Sequence, residues 1–253
     1  MEIVMIGAGN VATVLSKLMI KNGHTILQVV NRNQADAVVL ASICNAESAS
    51  LTDRISTVGD MYIIAVSDTA IAGLENMDSL KGKLICHTSG SVPMSALKHI
   101  SENFGVLYPL QSLSKFNDVL PEIPFLVDGN NGETMKSLLD FANSISVNVS
   151  IANDEERMKY HISAVFVHNF ANHIFALAEK YCENENIDFK KLFPLMNELI
   201  IKVEKFGAAK SQTGPAVRKD FETIQKHLEI LSSHPLMKKH YNSLSESIME
   251  NEQ

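Results

Sequence analysis

Short apolar runs alternate with segments of helical period through the first half of the chain. Glu2–Ile6 is an apolar run that ends at Gly7-Ala8-Gly9, and a helical pattern follows over 10–22. A second apolar run covers 25–30. It gives way to the polar turn Asn31-Arg32-Asn33 and an Ala-rich helical stretch at 35–42. MYIIAV (61–66), KLICH (83–87) and FGVLY (104–108) read as three further strands, with a weaker one at 46–48. Two late strands at 125–127 and 147–151 flank a helical pattern over 133–144. Strand and helix alternating at this spacing predict βαβ units, hence an α/β domain whose mostly parallel sheet carries helices on both faces.

From residue 154 the period changes to helix alone. Residues 155–183 read as one long helix with an apolar body at Ile162, Val165, Phe166, Phe170, Ile174, Phe175 and Leu177, which predicts a buried helix. A break at 184–188 precedes a second helix over 189–206, and Gly207 is a natural stop. Helices over 218–231 and 235–249 complete the set, Pro235 suiting a first turn. The expected organisation is therefore an α/β domain over 1–152 and an all-α domain over 153–253.

Composition narrows the class. The 253 residues are 45% hydrophobic and 20% charged, as in a globular chain. The 22 basic and 29 acidic side chains give a net charge of −7. Residues 1–150 hold 9 basic and 14 acidic groups and the remainder 13 and 15, so neither part has the basic surface of a nucleic-acid module. Cys44, Cys86 and Cys182 stand far apart without a CxxC pair, which suits a reducing compartment. The opening MEIVMIGAGNVA lacks the basic flank of a secretory leader, and no window reaches the roughly 18 apolar residues of a membrane span. The expectation is a cytoplasmic protein that engages neither nucleic acid nor membrane.

Gly7-x-Gly9-x-x-Ala12 ends a strand and opens a helix. In that context Gly7 permits the tight turn, Gly9 lets the backbone approach a pyrophosphate, and the small Ala12 lets helix and strand pack closely. Gly7, Gly9, Asn10 and Val11 are the candidate phosphate contacts, at a helix N-terminus that favours anions. After the second strand, where an NAD-binding chain carries a carboxylate, this chain has Asn31-Arg32-Asn33. Arg32 can pair with a ribose 2′-phosphate, so NADP(H) is the expected cofactor, with Asn31 and Arg32 at the ribose.

GAGNVA, the NRN turn and IIAVSD together resemble the nucleotide-binding domain shared by pyrroline-5-carboxylate reductase, ketopantoate reductase and deazaflavin-dependent NADP oxidoreductases. His87-Thr88-Ser89-Gly90, Tyr108-Pro109-Leu110-Gln111-Ser112 and Thr213-Gly214-Pro215-x-x-Arg218-x-Asp220 resemble a narrower family of Rossmann-like oxidoreductases with a helical C-terminal domain of unknown function. Tyr108 stands where that family often has His. The resemblance implies a Rossmann domain, a helical domain similar to that of 6-phosphogluconate dehydrogenase, and a homodimer built through the C-terminal helices.

Ligands of such sheets sit beyond the carboxyl ends of the strands, so Val66, Ser67 and Ser89 are further candidate cofactor contacts. His87 is a candidate proton donor to a carbonyl or imine; the other reading, which the residues favour slightly, is a structural histidine bonded to nearby backbone. His161, His168 and Asn172 share one face at 100° per residue, flanked by Asn169. Related hydroxyacid dehydrogenases place a catalytic Lys four residues before an Asn; with Asn169 as that Asn, the position holds Val165. Arg218 is suited to a substrate carboxylate, with Asp220 as its ion-pair partner or as a helix cap. No HExxH occurs, and His168 and His173 are poorly spaced for one metal. The expected function is NADP(H)-dependent hydride transfer to or from a small C=O or C=N substrate in the cleft between the domains, with His87, His161, Asn169 and Arg218 as its catalytic set. A non-catalytic NADP(H)-binding sensor is the other reading.

Overall fold

Eight strands form one sheet among the residues described by the computed structural model, 1–74 and 77–251. They are β1 (Glu2–Ile6), β2 (Thr25–Asn31), β3 (Glu47–Ser50), β4 (Met61–Ile64), β5 (Leu84–His87), β6 (Asn103–Pro109), β7 (Phe125–Gly129) and β8 (Val149–Ile151). Their order is β3-β2-β1-β4-β5-β6-β7-β8. All neighbours pair in parallel except β6 with β7, which run antiparallel. The chain works outward from β1 to β3 and then returns to the other side of β1 as β4. The crevice for a ligand in such a sheet lies at that reversal, beyond the carboxyl ends of β1 and β4.

Alternation along each strand builds two cores. Ile3, Met5, Met61, Ile63 and Cys86 face one side, with Leu15 and Met19 of α1 (Asn10–Lys21) against them. Val4, Ile6, Tyr62, Ile64 and Ile85 face the other, with Ile71, Leu80 and Leu97. Successive side chains point to opposite faces, so a strand buried on both sides must be apolar throughout, as MYII is. The first unit also holds α2 (Gln34–Cys44), the short α3 (Asp68–Ile71) and α4 (Gly132–Ile145). Asn33 and Asn131 cap α2 and α4 by accepting from the N–H groups of Ala35 and Thr134.

The chain divides into two compact units, Met1–His168 and Asn169–Gln253. The first therefore includes α5 (Asp154–Ala164), which opens on a capping box: Asn153 accepts from Glu156 N, and Glu156 accepts from Asn153 N. Beyond α5 the backbone widens into a π-helical stretch, Val165–Phe170, before α6 (Ala171–Asn184) resumes the ordinary helix. This corrects the single long helix. A wider turn advances each residue by a smaller angle, so the spacing of 100° per residue that put His161, His168 and Asn172 on one face does not hold through it. The expected burial is corrected too: of α5, the π stretch and α6, only Arg157 and Cys182 are buried.

The second unit adds α7 (Phe193–Phe206), α8 (Ala208–Ser211), α9 (Phe221–Ile230) and α10 (Pro235–Asn251). Arg218 lies ahead of α9 rather than within it. Asp220 caps that helix, accepting from the N–H and hydroxyl of Thr223. Among the described residues no helix is long and apolar enough to cross a membrane.

Candidate functional site

The glycine turn is fixed by what surrounds it. Gly7 has φ of +123°, and a Cβ there would sit 2.2 Å from the Ala65 carbonyl oxygen at the end of β4. Its N–H donates to Val30 O, tying the turn to β2. At Gly9 the reason is different: a Cβ would meet nothing within 4 Å. The space beside Gly9 is open. It belongs to a cavity of about 710 Å³ that Gly7, Gly9, Asn10, Val11, Asn31, Arg32, Val66 and Ser67 all line. No side chain caps α1, so its first N–H groups remain available to an anion. An open cradle at Gly9, an uncapped helix start and a cation at the end of β2 fit a dinucleotide by their own chemistry.

Two residues of this cavity carry charge that the sequence reading did not assign. Asp36, in the first turn of α2, brings a carboxylate to the wall that holds Arg32. It lies just past the Asn31-Arg32-Asn33 turn, so a slightly wider window exposes it. Lys115 reaches the cavity from the loop between β6 and β7, with no local signal to announce it.

Ser89 stands elsewhere. It does not line the cavity, and its buried hydroxyl accepts from the N–H groups of Ser91 and Val92. His87, at the end of β5, is fully buried, and its Nδ1 accepts from Ser89 N at 3.2 Å. Burial, then the Arg157 charge, lowers its pKa to about 4. The Pro93 carbonyl favours the charged form but is too poorly placed to complete a hydrogen bond, and Nε2 is left without a partner. His87 is thus a neutral ring that shapes the turn after β5.

Arg157 explains part of this. It is 1% exposed and donates to Val92 O at 2.6 Å and to Asp154 Oδ1 at 2.7 Å. Asp154 in turn accepts from Met94 N. The start of α5 is thereby fastened to the loop after β5. Nothing in the acidic run Asp154-Glu155-Glu156-Arg157 marks this arginine as buried.

Fastening α5 brings His161 over the same turn. Its Nδ1 is 3.1 Å from the Tyr108 hydroxyl at the end of β6. Gly90 lies between them, and a Cβ there would fall 2.7 Å from His161 Nδ1 and 2.8 Å from Tyr108 Cζ. Burial raises the Tyr108 pKa, so its phenol stays neutral. Asp68 accepts from the Ser91 hydroxyl beside them. The structure therefore gathers His87, Tyr108, Arg157 and His161 around one turn. Asn169 and Arg218, both exposed, belong to the second unit.

Family models match both parts of the chain. Residues 2–89 match the coenzyme F420-dependent NADP oxidoreductases, and residues 123–248 match a domain of unknown function, DUF2520. No curated protein matches the sequence. Among solved structures, BF3122 of Bacteroides fragilis, assigned as an NADP oxidoreductase, is 37% identical with a TM-score of 0.90, each chain covered to 98%. TM1727 of Thermotoga maritima is 18% identical with a TM-score of 0.81, again with 98% of each covered. A reductive aminase from Aspergillus terreus, solved with NADPH and ethyl levulinate, is 14% identical; its TM-score is 0.71, over 99% of this chain and 94% of that one. The last two share the fold. On the identity to BF3122 and the two family matches, the chain belongs to the NADP oxidoreductase-like proteins that follow a Rossmann domain with a helical DUF2520 domain.

Proposed function

We propose that this chain is an NADP(H)-dependent oxidoreductase that moves hydride to or from a small C=O or C=N substrate. One observation carries the reading: the 710 Å³ cavity joins the open glycine cradle to Arg32 at the end of β2. Arg32 answers a 2′-phosphate by charge-assisted hydrogen bonds, and Asp36 nearby limits how many anions that end accepts. When bound, the cofactor supplies the hydride to the substrate carbon, or receives it in the reverse direction. The substrate oxygen or nitrogen then needs a proton, and His161 is the group to give it. As an imidazolium His161 holds its Nδ1–H against the Tyr108 hydroxyl oxygen and gives up its Nε2 proton, which leaves the neutral ring; solvent then returns the proton, because His161 is only half-buried. His87, uncharged and enclosed, acts by holding the turn. Asn169 and Arg218 are assigned to orienting the substrate. A homodimer through the C-terminal helices completes the proposal.

The test is nicotinamide fluorescence on the wild type and Arg32→Ala, followed by NADPH oxidation with keto acids and cyclic imines. NADPH should bind at least tenfold more tightly than NADH, and Arg32→Ala should erase that preference. His161→Asn should keep cofactor binding and lose about a hundredfold in turnover. Binding of neither nucleotide would sink the reading. Tight NADPH binding with no turnover of any substrate would select the sensor instead.

A further inference from the structure

We infer that Lys115 is a clamp for the pyrophosphate of the cofactor, held across the start of α1 by Asn10. The inference rests on the dinucleotide reading above and adds a contact that no motif supplies. Lys115 lies on the loop between β6 and β7, more than a hundred residues from the glycine turn. Two apolar residues of that loop, Leu113 and Leu120, pack on the core and anchor it on either side. Asn117 N donates to Ser114 O and closes a tight turn around Lys115. The Lys115 N–H then donates to Asn10 Oδ1 at 3.2 Å. Asn10 is the first residue of α1, so this bond sets Lys115 beside the helix start that the cavity exposes.

Charge makes the assignment specific. Among the described residues no ion pair involves Lys115; its ammonium lies 5.6 Å from the centroid of the Phe116 ring. The cation is available to an anion in the cavity that it lines. Arg32 stands at the end of β2, the ribose side, whereas Lys115 stands at the helix start, the pyrophosphate side. The two cations thus answer different phosphates. The pyrophosphate is common to NADPH and NADH, and a lysine serves it as a point charge without selecting between them.

The experiment compares wild type, Lys115→Ala, Lys115→Arg and Arg32→Ala in binding NADPH, NADH and 2′-AMP, the last lacking a pyrophosphate. Lys115→Ala should weaken NADPH and NADH by the same factor, about tenfold, and leave 2′-AMP unchanged. Lys115→Arg should restore most of the loss. Arg32→Ala should weaken NADPH and 2′-AMP and spare NADH. If Lys115→Ala binds both dinucleotides like wild type, the clamp is overturned while the cofactor reading stands. A loss confined to NADPH and 2′-AMP overturns it as well, because Lys115 would then serve the 2′-phosphate. A wild type that binds no dinucleotide removes the cofactor reading and the clamp together.

Discussion

His87 titrates in the unfolded chain near 6.5 but in the folded one only at about 4. Between those values the unfolded state binds a proton that the folded state refuses. The contribution of His87 to stability therefore falls as pH drops from above 6.5 through about 4, and changes no further below that. A gap of about 2.5 pH units at about 1.36 kcal/mol each makes the loss roughly 3 kcal/mol. His87→Asn keeps an acceptor for Ser89 N and has nothing to titrate. Urea unfolding at pH 7 and pH 4.5 should show the wild type losing stability and the variant losing about 2–3 kcal/mol less. Equal losses in both would place the acid sensitivity elsewhere. The same residue marks where local reasoning stops. Gly7 and Gly9 were legible because a turn and an open backbone are properties of neighbouring positions. The burial of His87 and Arg157 was not, because it arises from the loop after β5 and the start of α5, some 60 residues apart.

Elements are legible when their period is regular. The six strands β1, β2 and β4 through β7 stand where the apolar runs lie, within a few residues, because a strand buried on both faces cannot be polar; the edge strands β3 (ESAS) and β8 (VSI) are half exposed or more, and their signals are correspondingly weak. The antiparallel pairing of β6 and β7 carries no such mark, since pairing direction leaves the residue pattern unchanged. The π-helical stretch Val165–Phe170 is invisible for a related reason: VFVHNF has the composition of any helix, and only the backbone records the wider turn. Element ends are where single residues weigh most. Asn153 and Glu156 satisfy two otherwise orphaned N–H groups at the start of α5, and the adjoining Asp154 and Arg157 anchor the loop that carries Ser91 and Val92. Asn153→Ala should cost about 1 kcal/mol of stability, measured by chemical unfolding, and Asn153→Asp should cost almost none because Asp caps equally well. If fraying of this helix start loosens His161, Asn153→Ala should also lower turnover with cofactor affinity unchanged. Identical unfolding of wild type and Asn153→Ala would show that the capping box adds nothing here.

The two units differ in how far each buries its own apolar surface. The first closes two cores around its sheet. In the second, the buried residues among those described are Cys182, Ser211, Ala216, Ile224, Leu231 and Ser245. Its α7 has no buried residue at all, although Leu195, Leu199, Val203 and Phe206 form a stripe and Ile200 and Ile201 widen it. Leu195 is 70% and Ile200 65% exposed. An apolar helix left bare in water invites association, and a chain that contributes the same face twice can cover it with a two-fold partner. The sequence showed apolar helices and so predicted burial; helical period alone does not distinguish a face covered within the chain from one covered by a partner. On this argument the protein sediments at twice its 27.9 kDa at micromolar concentration. Leu199→Glu with Ile200→Glu should shift it to the single-chain mass, since two carboxylates cannot be desolvated against an apolar face without partners. NADPH binding should survive that change, because every residue lining the cavity lies in the first unit. A wild type that sediments at 27.9 kDa across the micromolar range would exclude the homodimer and leave α7 to a different partner.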